Sequence, residues 1–307
     1  MSSQNTKNNK RKKIIVIISC IILIIIVSIL LMSYIRYNNR LELTQLGNMT
    51  TRQMMGYFLK TKDNKNIIID GGTTGDSQNL IDYINQNGGE VDTWFITHPH
   101  EDHVGAIIEI LNNTQIPIHN IYVTLNTPEW YEKFGDGRGN EAQELMQALE
   151  VDRVKEKVTE VELGQEIQVD NITFKILGVK NPEITENAMN NSSMVIKCMV
   201  NNKSIIFLGD TGQESGEKLL KNQREQLKAD YVQVAHHGQA GAGEELYKTI
   251  SPKVAMWPTP DWLWNNDSGQ GEDSGTWKTK ETRAWLENIG VKENIIEKDG
   301  NITIKIY

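Results

Sequence analysis

Residues with metal-binding side chains are concentrated in one short segment, residues 98–103, with the sequence His-Pro-His-Glu-Asp-His. The chain has only 6 histidines in 307 residues, and three of them lie here. Imidazole nitrogens and a carboxylate suit zinc and similar transition metals. In an extended segment His98 and His100 point the same way, because side chains alternate, and Asp102 and His103 lie on the turn that follows. The spacing predicts two adjacent metal ions.

Three further residues of this kind follow apolar runs later in the chain. Asp210 comes at the end of IIFLGD, and His236 and His237 follow YVQVA. Five of the six histidines thus lie in two motifs at the ends of apolar runs. This favours a metal site over a polar loop whose histidines bind nothing. The sixth histidine, His119 in PIHNIYV, is interpreted as structural.

The segments around these motifs alternate between strand and helix patterns. The buried run VDTWFIT ends at the first motif, and VGAIIEILNN has helical spacing directly after it. From residue 158 the pattern becomes rich in strands, and the last third alternates again. Residues 126–140 are interpreted as an inserted loop. Strands flanked by helices predict a layered α/β sandwich.

The N-terminus contains a second distinctive feature, the run Ile14–Met32, which has no charge and no proline. Its nineteen residues are long enough to cross a hydrocarbon core of roughly 30 Å. The residues before it include no acid and five basic residues: Lys7, Lys10, Arg11, Lys12 and Lys13. A cleaved signal peptide, a lipoprotein signal ending at Cys20 and a buried core helix are the alternatives. The length and the basic flank favour an uncleaved signal anchor.

These features divide the chain into four parts. We predict a cytoplasmic basic tail (1–13), a transmembrane anchor (14–35), a short linker (36–40) and one folded domain (41–307). The protein would be a single-pass protein of the cell membrane with its C-terminal domain outside the cytoplasm. Cys20 and Cys198 are the only cysteines, and no disulfide is expected between them.

The charge of the chain argues against a polyanionic partner. Without the five basic residues of the tail, 27 Lys and Arg stand against 40 Asp and Glu, which gives −13. Such a chain repels nucleic acid on average. A nucleic-acid partner is therefore not favoured.

The ordered set THPHEDHVGA, FLGD and VAHHG, with IIIDGG upstream, resembles the metallo-β-lactamase superfamily. The sequence also resembles the extracytoplasmic hydrolase-like domain of the ComEC DNA-uptake proteins, in which NNSS precedes an apolar strand, as at residues 190–193, so residues 41–307 would form a metallo-β-lactamase-like hydrolase domain. The resemblance covers nearly all of the chain after Arg40. It implies a four-layer αββα sandwich that binds one or two divalent ions at one edge, with zinc as the expected metal and manganese as the alternative.

The resemblance also implies six metal ligands: His98, His100, Asp102, His103, Asp210 and His236. His98 and His100 would hold the first ion, and Asp102, His103 and His236 the second. Asp210 would bridge the ions, and Asp102 and Asp210 would act in catalysis. A metal-bound hydroxide would attack an ester. His237 could replace His236, and Asp70 in IIIDGG would shape the floor of the site rather than bind metal.

One ligand of the family is missing from this sequence. Many members supply a third histidine to the first metal, but no histidine lies between His119 and His236. The positional candidates are Asn190 and Asn191. An amide oxygen or a water would complete this site, or the site would be empty. We expect one ion to bind tightly and a second more weakly.

The segment 257–277 holds four of the seven tryptophans. It could form an aromatic wall for a substrate, with Trp262, Trp264 and Trp277 as candidate contacts, or a small aromatic core that fixes a long loop. Its acidic residues favour a cationic headgroup.

The function predicted is a membrane-anchored hydrolase outside the cytoplasm that cleaves an ester, most simply a phosphodiester of the envelope or a choline-like ester. A nuclease linked to DNA uptake is the second enzyme class, which the charge disfavours. A binding or scaffold domain with a relic metal site is the alternative outside enzymes, motivated by the missing histidine.

Overall fold

The strands of the chain form two seven-stranded sheets. The computed structural model describes residues 2–38 and 40–307, with side chains for 12–35 and 40–307. The predicted tail, 1–13, and linker, 36–40, fall largely outside the described side chains, so their boundaries stay predictions.

The first sheet contains six strands from the first half of the chain and the last strand of the chain. They are β1 (Leu41–Gln45), β2 (Gly56–Thr61), β3 (Asn66–Asp70), β4 (Thr93–Phe95), β5 (Ile121–Val123), β6 (Val158–Glu160) and β14 (Ile302–Ile306). Their order is β14-β1-β2-β3-β4-β5-β6. Pairing is antiparallel from β14 to β3 and parallel from β3 to β6.

The second sheet contains the remaining strands. They are β7 (Glu166–Val169), β8 (Ile172–Gly178), β9 (Val195–Val200), β10 (Lys203–Phe207), β11 (Tyr231–Gln233), β12 (Val254–Trp257) and β13 (Glu293–Ile296). Their order is β13-β12-β11-β10-β9-β8-β7. Pairing is antiparallel from β7 to β10 and parallel from β10 to β13.

The described helices precede the strands or connect them. They are α1 (Ser2–Asn38), α2 (Ser77–Gln86), α3 (Glu101–Asn113), α4 (Pro128–Phe134), α5 (Gly139–Leu149), α6 (Ala188–Asn191), α7 (Gln213–Gln223), α8 (Glu244–Ile250), α9 (Asp261–Trp264) and α10 (Thr279–Ile289). Apolar residues of α2, α3 and α5 join a buried cluster on the first sheet. Those of α7, α8 and α10 join a cluster on the second sheet.

A third buried cluster lies between the two sheets. Tyr57 of the first sheet meets Phe207 of the second edge to face at 5.1 Å between ring centroids, and Phe95 meets Phe174 at 4.8 Å. Alternating side chains thus supply one face of each strand to this core and the other to the helices. The predicted four-layer αββα sandwich is confirmed.

The apolar run at the N-terminus is helical. The segment Lys12–Ile35 is long and apolar enough to cross a membrane, and none of it is buried within the described part of the chain. A signal sequence near the N-terminus has the same properties, so length and composition support a membrane span without fixing its topology.

The interpretation of residues 126–140 as a loop was wrong. The segment contains α4 and the start of α5. Thr127 begins α4, since its side-chain oxygen accepts a hydrogen bond from the backbone N–H of Trp130 at 3.3 Å. Proline at the first position, Pro128, is preorganised for a helix and lacks the N–H that a helix start leaves unpaired.

Candidate metal centre

Four chain segments deliver the predicted ligands to one edge of the sandwich. β3 ends at Asp70, and the segment after β4 carries residues 98–103. Asp210 follows β10, and His236 follows β11. β3 and β4 are parallel, as are β10 and β11, so each sheet places two of these ends side by side. The carboxyl ends of parallel strands are where such folds build sites.

His98 and His100 form one part of the cluster. Both are buried, and Nε2 of His98 lies 3.0 Å from Nδ1 of His100. Nε2 of His98 is also 3.8 Å from Oδ2 of Asp210. The alternation that the sequence predicted thus turns both imidazoles to one side, next to the aspartate of the second sheet.

Asp102, His103 and His237 form the other part. Nε2 of His237 lies 3.2 Å from Oδ2 of Asp102 and 3.5 Å from Oδ2 of Asp210. Nε2 of His103 lies 3.2 Å from Oδ1 of Asp210. Asp210 therefore contacts both parts with its two carboxylate oxygens, which is the position that a bridging ligand needs.

Hydrogen bonds from outside the cluster fix the orientation of its histidines. Nδ1 of His103 donates to Oδ2 of Asp70 at 2.6 Å, and Nδ1 of His237 donates to the carbonyl of Pro258 at 2.7 Å. Thr97 ties Asp70 further, with its N–H and hydroxyl at 2.7 and 2.6 Å from the carboxylate. When Nδ1 carries the proton, Nε2 keeps its lone pair for a metal.

The residues present fit a bound divalent ion. Buried polar atoms in this cluster have no hydrogen-bond partner in the described part of the chain: His100 Nε2, Asp102 Oδ1, His103 Nε2, Asp210 Oδ1 and His237 Nε2. Buried polar atoms are rarely left unpaired unless something else binds them. Donors about 2.0–2.1 Å from a tetrahedral zinc lie roughly 3.3 Å apart, a spacing close to the distances above.

The electrostatics divide the histidines into two kinds. Burial, followed by the positive charge of Arg138, lowers the pKa of His100 to about 3. Burial alone would also lower the pKa of His103, but the carboxylates of Asp210 and Asp70 outweigh burial and raise it to about 10. His100 is therefore neutral and ready to ligate, whereas a cation must displace a proton from His103.

His236 and His237 differ from the roles implied by the resemblance. His237 is fully buried against Asp102, whereas Nε2 of His236 lies 3.9 Å from Asp210 and faces the side-chain nitrogen of Asn190 at 3.3 Å. Both histidines have a left-handed backbone, with φ of 50° and 52°. This turn sends the first side chain outward and the second into the cluster, so the geometry favours His237 beside Asp102 and His103.

The two asparagines proposed in place of the missing histidine differ in their hydrogen bonds. Oδ1 of Asn191 accepts from the N–H and hydroxyl of Ser215 at 3.1 and 2.8 Å, and its Nδ2 donates to Glu186 and Glu214. Asn191 is therefore used within the protein and is not free to ligate. Oδ1 of Asn190 is buried and lacks a partner in the described part of the chain. Asn190 is therefore better able than Asn191 to provide an amide oxygen to a metal ion.

The tryptophan candidates do not share one site. Trp262 lines a cavity beside Asp102, and Trp277 packs against Trp262 at 4.9 Å. Trp264 instead packs against the buried ring of Trp257 at 5.3 Å and under the guanidinium of Arg283 at 3.9 Å. Trp264 thus packs in the aromatic core of the loop and is not part of the cavity beside Asp102, and its role in a substrate wall stays a prediction.

Sequence reasoning missed two residues at this edge. Arg138, in the segment interpreted as a loop, places Nη2 3.7 Å from Oδ1 of Asp102. Gln53 donates to Oδ2 of Asp102 at 3.0 Å. Neither belongs to a motif, and both reach the site only through packing of distant segments. His119 lies apart from the cluster and pairs with Glu90 at the surface, at 3.1 Å, and its structural role stays a prediction.

Comparison with known proteins agrees with this geometry. Residues 52–255 match the family model described as the metallo-beta-lactamase superfamily. The chain is 28% identical over 179 residues to ComE operon protein 3 of Bacillus subtilis (strain 168), which covers 58% of this chain but only about a fifth (21%) of that relative.

Solved structures share the fold at low identity. YhfI of Bacillus subtilis, described as a metallo-beta-lactamase fold protein, superposes with a TM-score of 0.54 at 14% identity, covering 87% of this chain and all of that one. CmlA, a diiron beta-hydroxylase of Streptomyces venezuelae, gives 0.55 at 12% identity, covering 87% and 54%. The family match spans most of the chain and includes the whole His98–Asp210–His237 cluster. The chain therefore belongs to the metallo-beta-lactamase superfamily.

Proposed function

We propose that this protein is a metal-dependent hydrolase that cleaves a phosphodiester at the outer face of the membrane. The observation that carries the proposal is the convergence of buried, unpaired nitrogen and oxygen atoms from four segments on Asp210. Such a cluster is costly to bury unless a cation pairs with it. Membership of the superfamily supports a hydrolase without selecting a substrate.

We assign two unequal ion sites. Asp102, His103, His237 and Asp210 surround the tighter one, with ligand atoms 3.2–3.5 Å apart. His98 and His100 share Asp210 in the weaker one. We assign His236, whose Nε2 is 3.9 Å from Oδ2 of Asp210, and the amide oxygen of Asn190 to the weaker site, in place of the absent third histidine.

The chain's own side chains supply positioning. An ion bound there would lower the pKa of a water ligand and stabilise negative charge on the substrate. Asp70 and the Pro258 carbonyl hold Nδ1 of His103 and of His237, so Nε2 of each ring is aimed inward and is the nitrogen that an ion would take from its proton. Burial of the cluster excludes bulk water and strengthens each of these interactions.

The proposed location rests on the N-terminal helix. Lys12–Ile35 has the length and apolar character of a span, and the basic residues before it favour a cytoplasmic N-terminus. A phosphatase reporter fused after Tyr307 would be active only if the C-terminus lies outside. An inactive phosphatase fusion beside an active cytoplasmic reporter would overturn this topology.

Hydrolysis by the full-length chain in detergent tests the activity. With zinc or manganese, we expect cleavage of bis(p-nitrophenyl) phosphate, and we expect Asp210→Ala to lower kcat/KM at least about 100-fold, because metal contacts are worth several kcal/mol. Asp82→Ala, an exposed aspartate of α2, is the matched control and should change the rate little. Cleavage of single-stranded DNA in preference to the small diester would favour the nuclease. No hydrolysis of any ester, with Asp210→Ala unchanged in every assay, would favour the scaffold.

Metal content tests the two sites. After dialysis, elemental analysis should find one tightly held ion that His237→Ala removes. His236→Ala should keep the tight ion and lose only the ion that binds on titration. The opposite result, loss of the tight ion in His236→Ala alone, would restore the assignment that the sequence first suggested.

A further inference from the structure

A cavity opens directly beside the proposed metal centre. It has a volume of about 490 Å³ and includes Asp102, Gln53, Arg138 and Trp262 in its lining. Asp102 belongs both to this cavity and to the tighter ion site. A substrate bound here would therefore reach the ions from the cavity.

Arg138 brings to this cavity a positive charge whose ion-pair partners are Glu141 and, at longer range, Asp102. Its Nε pairs with Oε1 of Glu141 at 2.7 Å, while Nη2 stays 3.7 Å from Oδ1 of Asp102, beyond hydrogen-bonding distance. Glu141 in turn accepts from the N–H of Glu101 at 2.7 Å, so the carboxylate that holds Arg138 is itself fixed to the start of α3. Glu141 thus holds the guanidinium through its Nε, and the Nη groups remain available to a ligand.

Arg52 lines the same cavity but is used differently. Its Nη2 pairs with Oε2 of Glu101 at 2.7 Å, and its side chain is 57% exposed against 39% for Arg138. It contacts no atom of Asp102 among the described ion pairs. Arg52 is therefore a natural control of equal charge in the same cavity.

The acidic residues of the tryptophan-rich segment do not face this cavity. Oδ1 of Asp267 accepts from the N–H groups of Gly269 and Gly271 at 2.7 and 2.9 Å, and Asp273 pairs with Lys280. These carboxylates therefore bind groups of the loop itself and of the helix that follows it. None of the acidic residues of this segment lines the cavity, so its arginines favour an anionic group there over a cationic headgroup.

Trp262 gives the cavity a fixed aromatic side. Its Nε1 donates to the carbonyl of Thr51 at 2.8 Å, and its ring packs against Trp277. Two contacts hold the indole in place, so its remaining face is a flat apolar surface.

We infer that this cavity selects an anionic diester, with Arg138 contacting a non-bridging phosphoryl oxygen and Trp262 lying against one of the two alcohol groups. This inference rests on the proposed function and names its specificity residue. The planar guanidinium suits phosphoryl oxygens because it donates two parallel hydrogen bonds. A neutral ester lacks the charge and would gain nothing from Arg138.

Two substrates with one leaving group test the inference in the zinc-loaded full-length protein. We expect Arg138→Gln to lower kcat/KM for bis(p-nitrophenyl) phosphate about 10- to 100-fold, the usual effect of losing a charge-assisted contact, and to change that for p-nitrophenyl acetate less than about threefold. Arg52→Gln removes a charge of the same cavity that Glu101 already pairs, so it should lower kcat/KM for the diester clearly less than Arg138→Gln does. Arg138→Lys keeps the charge but cannot donate two parallel hydrogen bonds, so its kcat/KM for the diester should lie between those of wild type and Arg138→Gln. Equal losses for both substrates, or equal losses in the two arginine variants, would overturn the role of Arg138.

Binding separates this inference from the proposed activity. Inorganic phosphate should bind zinc-loaded wild type more tightly than Arg138→Lys by calorimetry, whether or not either ester is cleaved. Wild-type protein that binds phosphate but cleaves nothing would contradict the proposed function and leave the anion cavity intact. If wild type and Arg138→Lys bind phosphate equally and contain the same amount of zinc, the anion-binding role of the cavity is refuted and the proposed function is not. Arg138→Lys also serves if Arg138→Gln fails to fold.

Discussion

At the scale of single residues, Asp70 acts through another side chain. The sequence placed it beneath the site, and its carboxylate accepts hydrogen bonds from His103 Nδ1 and from both donors of Thr97. Its backbone has a φ of +54°, a left-handed conformation that aspartate tolerates better than most residues. Such a partner raises the basicity of the histidine and fixes its orientation.

We predict that Asp70→Asn lowers zinc affinity about 10- to 100-fold, because a neutral amide is a weaker partner for His103 Nδ1. Competition with a chromophoric chelator measures this affinity. Asp76→Asn is the matched control: Asp76 is equally buried, but it accepts from Thr73 and Met49 away from the cluster. Its zinc affinity should match wild type. Unchanged affinity in Asp70→Asn would refute the orienting role.

At the scale of elements, α3 carries Asp102 and His103 and must approach the chain after β3 closely. Gly105 makes this approach possible, because a Cβ there would lie 2.3 Å from the N of Thr74 and 2.7 Å from the carbonyl carbon of Thr73. The next residue of α3, Ala106, donates its N–H to the carbonyl of Gly72 at 3.0 Å. The helix and the turn after β3 are thus one rigid unit.

We predict that Gly105→Ala destabilises the fold by about 1–3 kcal/mol, since both atoms that the methyl meets are backbone atoms. The higher helix propensity of alanine offsets only about 1 kcal/mol of the steric cost. Thermal unfolding followed by circular dichroism would show a lower midpoint, together with a lower zinc content. Asn112→Ala, at an exposed position of the same helix, should leave both unchanged. A midpoint that rises in Gly105→Ala would contradict the close approach.

At the scale of the whole molecule, the chain crosses between the sheets where their edge strands end. One crossing joins β6 to β7, and the other, Glu297–Asp299, joins β13 to β14. Glu297 is fully buried and its carboxylate oxygens make no close hydrogen bond among the described residues, so the backbone N–H of Met54 and the charge of His237 offset its burial only in part. Burial, the largest influence, raises the pKa of Glu297 well above its usual range.

This burial gives stability a pH dependence of known sign. The folded state binds the Glu297 proton more tightly than the unfolded state, so this glutamate contributes less stability as pH rises above about 4.3, the ordinary glutamate pKa. We predict that Glu297→Gln raises the unfolding midpoint at pH 8 and that this gain shrinks towards pH 4.5. The exposed Glu281→Gln should show no such trend. A Glu297→Gln protein less stable than wild type at pH 8 would mean that the ionised carboxylate has a partner.

Much of the fold and of the ligand set followed from local patterns. Alternation turned His98 and His100 to one side, and apolar runs placed Asp210 and the His236–His237 pair at strand ends, because these effects depend only on neighbouring residues. Thr127-Pro128 is also a local pattern typical of a helix start, as found at α4. The polar and glycine-rich residues around it favoured a loop instead.

What the sequence determined by itself was the class of fold, the kind of ligand and the helix able to cross a membrane. Only the tertiary structure decided which histidine of the pair faces Asp102, which asparagine is free and which tryptophan meets the cavity. The first set depends on periodicity and composition, which a single segment contains. The second depends on a left-handed turn at two consecutive residues and on contacts between segments far apart in sequence, such as Arg138 with Asp102 and Asn191 with Ser215. No local pattern encodes such distances, because they are set by how two sheets and their helices pack against each other.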